Sequence, residues 1–122
     1  MEQFSIRGVV NVEEIQPLVN PGWVCESGKA QRDIYYAPVF SPAGKHSIWS
    51  KISLKPYPGP GDYTAGFFEG MIGIDTSTFM MTSSSSLQVS VRQDGSGSVE
   101  FSKLAAGEAT ISGKVAWACP SP

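Results

Sequence analysis

The stretch "LQVSVRQDGSGSVEF", Leu87 to Phe101, constrains the fold more than any other part of this chain. Leu87, Val89 and Val91 alternate with Gln88, Ser90 and Arg92, the period-two pattern that gives a strand one apolar and one solvated face. "DGSGS", Asp94 to Ser98, then supplies residues that tolerate positive φ, and "SVEF" resumes the strand. Leu87–Gln93 and Ser98–Ser102 therefore read as an antiparallel hairpin. The same kind of pattern recurs along the chain. "SIWSKISL" carries a strand core between Ile48 and Leu54, "FSIRGVVNV" is rich in β-branched residues, and shorter runs follow in "RDIYYAPVF", "DYTAGFF" and "MIGID". The last run, "ATISGKVAWAC", sets Ile111 and then Val115, Trp117 and Cys119 on alternating positions, and its change of phase near Gly113 marks a bulge or a bend.

Helices find little support. "VEEIQPL" is the one weak candidate and is broken by Pro17, while "KLAAGEA" is too short to stand alone and reads as a turn. The expected fold is all-β, an antiparallel two-sheet β-sandwich of the immunoglobulin-like kind with seven to nine short strands; a small β-barrel is the alternative. A length of 122 residues limits this to a single domain, 1–122. "YPGPGDY", Tyr57 to Tyr63, reads first as a stiff corner: Pro58 and Pro60 fix φ, Gly59 and Gly61 permit the turn, and little entropy is left to lose on folding. Thr82–Ser86, "TSSSS", reads as a loop.

Cys25 and Cys119 are the only cysteines. They have neither a CxxC partner nor a neighbouring histidine, so a zinc site or a thioredoxin-like motif is not on offer. A disulfide is the expected use, implying an oxidising compartment; two buried free thiols in a cytosolic protein are the competing reading. On the disulfide reading the protein is secreted or sits in the cell envelope. Charged residues make up only 16% of the chain, against roughly 25% in an average soluble protein, which leaves Ser, Thr, Gly and Gln to build the surface. A net charge of -2 and a pI near 5.3, with scattered Lys and Arg, provide no basic field for nucleic acid. Met1 is followed by Glu2-Gln3 rather than by a basic and then apolar leader, and no apolar run of about 18 residues occurs. Membrane association is expected only through an anchor or leader removed from ahead of Met1.

The catalytic inventory is thin. His46, the single histidine, lies in "PAGKHS" and reads as a solvated loop residue. No GxSxG elbow occurs, and nothing in the spacing of the 11 carboxylates singles out the facing pair that a glycosidase needs. No catalytic residue, metal ligand or cofactor site is assigned. Aromatic residues are more informative, because a flat ring can bury the apolar side of a pyranose while polar groups bond its hydroxyls. Trp49 and Trp117 lie inside strand patterns and are expected in the core. Trp23, Tyr57 and Tyr63 lie in loop-like stretches and are the candidate ligand-binding residues. Phe79, Met80 and Met81 could line an apolar pocket, though core filling is their expected role.

"ISLKPYPGPGDYTA", "LQVSVRQDGSGSVEFSKL" and "ISGKVAWACP" follow one another over about the last seventy residues. That succession resembles the ending of small bacterial envelope proteins, many of them lipoproteins, in which a GPGxY turn, a DGSGS hairpin and an ISGxVxWxC strand close a secreted β-sandwich. The resemblance implies fold and compartment and carries over no catalytic residue; a lipobox cysteine is absent from the start of this chain. The expected function is that of a non-enzymatic extracytoplasmic domain, a binding or structural module facing an unknown cell-surface ligand or protein partner. The alternatives are a glycan-binding module with two exposed rings in one plane, a lipid carrier with an enclosed apolar cavity, and a homo-oligomeric surface subunit donating a segment such as Phe4–Val12.

Overall fold

The computed structural model describes residues 1–17, 25, 35–36 and 45–119. Ten strands are present among them: β1 (Glu2–Gly8), β2 (Val12–Gln16), β3 (Tyr35–Tyr36), β4 (Ile48–Leu54), β5 (Gly61–Tyr63), β6 (Phe67–Ile74), β7 (Ser77–Met80), β8 (Ser86–Val91), β9 (Gly97–Ala106) and β10 (Ala109–Trp117). All pairings are antiparallel. The all-β expectation holds, and the β8–β9 hairpin forms as the alternation dictates, with Val89 opposite Val99 and Val91 opposite Gly97. "VEEIQ" is a strand and not a helix: paired to β1, it buries Val12, and Pro17 ends it rather than interrupting it. "DYTAGFF" divides between β5 and β6, while "FF" and "MIGI" belong to one continuous strand.

The hydrogen bonds trace one ladder that branches, rather than two separate sheets or a closed barrel. Its main path runs β2-β1-β10-β9-β7-β6-β4-β3, and β8 with β5 leaves it at β9. The branch has a local cause. Gly113 of β10 faces Phe101, but Ile111 faces Leu104, so Ser102 and Lys103 together oppose the single residue Ser112. Lys103 takes up the slack with a φ of 55°, and its N–H donates to Ser112 Oγ at 3.0 Å. Such a bulge bends its strand and sharpens the twist. Before it, β9 pairs with β8 through Ser102; beyond it, Ala105 pairs with Met80 of β7. The bulge expected near Gly113 is therefore present, with its extra residue on the partner strand.

Inward-facing side chains of both branches meet in one hydrophobic cluster that includes Phe4, Ile52, Ile72, Phe79, Val99, Leu104 and Trp117. The Cys25–Cys119 disulfide forms, with the Cα atoms 5.9 Å apart. Around it the β8–β9 turn is tied down. Trp117 Nε1 donates to the Gly95 carbonyl at 3.0 Å, and the Cys119 N–H donates to Ser96 Oγ at 2.9 Å. Gly95 (φ 92°) lies so close to Cys25 that a Cβ there would come within 2.4 Å of the Cys25 carbonyl oxygen. Trp117 is a core residue as expected; Trp49 is half-buried, with its indole over Gly73 of the neighbouring strand.

Candidate functional site

The corner "YPGPGDY" turns its aromatic groups inward. Tyr57 is only 3% exposed, and its ring sits between Tyr35, with centroids 5.0 Å apart, and Tyr63, at 5.8 Å. The Tyr63 hydroxyl donates to the Gly59 carbonyl, which closes the corner on itself. Burial, and then the neighbouring Tyr63, push the Tyr57 hydroxyl pKa up to about 12; Tyr35 is pushed up likewise, by burial and then by Tyr57. Tyr57 is therefore core and not an exposed ligand contact, because its ring is packed between two other tyrosines. Tyr63 is half-buried with its polar tip engaged. Trp23, the third candidate, lies outside the described residues.

His46 is better anchored than a solvated loop residue. Its Nδ1 lies 2.8 Å from Asp75 Oδ2, the Ser47 N–H donates to Asp75 Oδ1 at 3.1 Å, and the Asp75 N–H donates to the Ser47 carbonyl at 2.8 Å. Asp75, with φ 55°, occupies the first position of the two-residue turn joining β6 to β7. The His46 hydrogen bond and then that of Ser47 hold its carboxyl below the ordinary carboxylate range. The arrangement staples the start of β4 to the β6–β7 turn.

A different surface gathers functional groups. Strands β1, β10, β9, β8 and β5 send their alternate side chains outward onto one face, and register lines them up in rows. Ser5 stands opposite Lys114, Lys114 opposite Glu100, and Glu100 opposite Gln88. The next row reads Gln3, Ala116, Ser98, Ser90 and Asp62. The inward neighbours in these strands, such as Phe4, Val115, Val99 and Val89, are buried. Two recesses mark this face, of about 540 and 600 Å³, and Lys114 lines both. The first is bounded by Arg7, Lys114, Glu100 and Gln88, with the hydroxyls of Ser5, Ser86 and Ser102 between them and Met81 at the rim. The second reaches Asp62, Arg92 and Asp94 beside the Trp117–Cys119 end of β10. Asp94 is held low by its hydrogen bonds to Ser96.

Lys114 and Glu100 stand directly across from one another, yet among the described residues no ion pair joins them. These two charges are thus not spent on each other. Sequence reading placed Gln88 and Ser90 outward but did not single out Arg7, Glu100 or Lys114. They come together through the β1–β10–β9 register, a long-range pairing with no short motif to announce it. No grouping of three or more metal-binding side chains occurs among the described residues. Phe4–Val12, the segment considered for donation to a neighbour, is instead divided between two strands, and β1 is paired on both sides, by β2 and β10. Comparison with protein-family models, curated proteins and solved structures finds no match to this chain.

Proposed function

We propose that the chain is an extracytoplasmic, non-enzymatic binding domain of a bacterial cell surface, and that the polar face of β1, β10, β9, β8 and β5 is its binding surface for a hydroxyl-rich ligand, a glycan. The observation that carries this reading is the pair of recesses flanking Lys114 on a face of serines, glutamines and unbridged charges. Sugar hydroxyls need donors and acceptors placed a few ångströms apart on a rigid scaffold, and in-register strands supply them about 4.8 Å apart. Serine and glutamine suit the task because each both donates and accepts. The disulfide supports a location outside the cytoplasm, as does the resemblance to envelope proteins.

The oxidised protein applied to an array of plant, fungal and bacterial glycans tests the proposal, with Ser102→Trp as the blocking variant. Ser102 is half-buried on the polar face, where an indole fills the first recess without entering the core. Glycans retained by the native chain and lost by Ser102→Trp are expected. A set of glycans bound equally by both proteins would move the site elsewhere, and an array with no bound glycan would remove the glycan reading.

A further inference from the structure

The two cations of the first recess bear on the charge of the ligand. Resting on the binding face above, we propose that this recess takes a glycan unit bearing a carboxylate, a uronic-acid type of sugar, with Arg7 and Lys114 as the partners of the carboxylate. Arg7 stands opposite Ser112 and Lys114 opposite Ser5, so the two are diagonal neighbours on the β1–β10 pair. Diagonal side chains on one face of an antiparallel pair start about 7 to 8 Å apart, within the reach of long side chains converging on one group. Both are exposed and line the same recess, and neither forms an ion pair among the described residues. A guanidinium presents a planar fork matched to a carboxylate, and an ammonium adds a point charge beside it.

The rest of the recess limits what the anion can be attached to. Glu100 faces Lys114 from β9 and repels a densely charged polymer, as does the net charge of -2. One carboxylate per sugar unit, spaced by neutral hydroxyls, fits better than a polyphosphate or a heavily sulfated chain. Gln88 and the hydroxyls of Ser86 and Ser102 stand where ring hydroxyls would lie, while the Ser5 hydroxyl donates to Glu13 Oε1 at 2.9 Å and keeps only its acceptor side for the ligand; the 40% exposed Met81 offers an apolar contact for the C–H face of a pyranose.

Calorimetric titration of the oxidised full chain with tetragalacturonate, cellotetraose and tetraglutamate separates the alternatives. Tetragalacturonate should bind at least about tenfold more tightly than either of the others. Arg7→Gln and Lys114→Gln should each weaken it by about 10-fold or more, the usual effect of removing one charged hydrogen-bond partner. Glu100→Gln, at an equally exposed position, should tighten it by a few-fold. Equal binding of cellotetraose, untouched by the Arg7 and Lys114 variants, would overturn the carboxylate preference and leave the glycan-binding face standing. Tetraglutamate binding as well as the oligouronide would overturn it too, by showing that charge alone is recognised. Failure of all three to bind would overturn the carboxylate proposal; joined to an empty glycan array, it would overturn the face itself.

Discussion

Gly73 is buried beneath the indole of Trp49, its cross-strand neighbour, and a Cβ built there would lie 1.9 Å from Trp49 Cε2. The glycine is needed for lack of a side chain and not for an unusual backbone, and this gives a sharp expectation. Gly73→Ala should cost about 1 to 3 kcal/mol in urea unfolding, the usual range for overpacking, and most of that cost should vanish in a Trp49→Ala background. An undiminished cost in the double variant would show that the indole is not what excludes the methyl group. Tyr35 provides a second case. Its hydroxyl is buried and has no hydrogen-bond partner among the described residues, so Tyr35→Phe should leave stability at neutral pH unchanged or raise it by about 1 kcal/mol. The pH dependence has a definite sign. The folded state holds the Tyr35 hydroxyl neutral above its ordinary pKa of 10, so the stability linked to that neutral form is intact below 10 and declines as pH rises further. The advantage of the Phe variant should widen above pH 10, as followed by unfolding midpoints across the alkaline range.

Two elements organise the molecule, and each can be probed by itself. The β9 bulge divides a ten-residue strand between two sets of partners and rests on a lysine in a left-handed conformation. That conformation costs a non-glycine residue roughly 1 kcal/mol, so Lys103→Gly should be neutral or stabilising by up to about 1 kcal/mol. Lys103→Val, β-branched and poorly suited to positive φ, should destabilise. A reversed order, measured by chemical unfolding, would mean that the lysine side chain and not its backbone sustains the bend. The second element is the knot at the chain's end, where the disulfide spans a sequence separation of 94 residues and the β8–β9 turn binds to Trp117 and Cys119. The chain-entropy account gives about 4 to 5 kcal/mol for closing a loop of this length. Replacing both cysteines by alanine should therefore lower stability by several kcal/mol, with amide exchange rising first around Arg92–Ser96 and Trp117. Uniform exchange loss across all strands would show that the turn is not specifically held there.

At the scale of the whole molecule, what could be read from the sequence followed the range of the interactions involved. Alternation in Leu87–Val91 and in Val115–Trp117 is local physics, so the hairpin, the final strand and the burial of Trp117 were legible. Pairing Cys25 with Cys119 was legible because the chain holds no other cysteine. The branching of the sheet was not, since it depends on Ser102 and Lys103 facing one residue of a strand that begins only after the next turn. "VEEIQPL" misled because two adjacent glutamates weaken an alternation that pairing with β1 restores. Tyr57 misled for a related reason: a Pro- and Gly-rich stretch suggests an exposed loop, and only the approach of Tyr35 and Tyr63 buries its ring. The candidate face was the least legible of all. Glu100 and Lys114 face each other across the β9–β10 hairpin, but Arg7 lies on β1, most of the chain away, and register alone brings it beside them.

That alignment is the central claim, and mapping ligand-induced amide shifts across the full isotopically labelled chain tests it most directly. With a glycan retained on the array, the largest shifts should fall on Ser5, Arg7, Gln88, Glu100 and Lys114, while Trp49, Met71 and Met80 on the outer face of β4, β6 and β7 remain still. Shifts centred on Trp49 and Met80 instead, with the Lys114 row unmoved, would contradict the account.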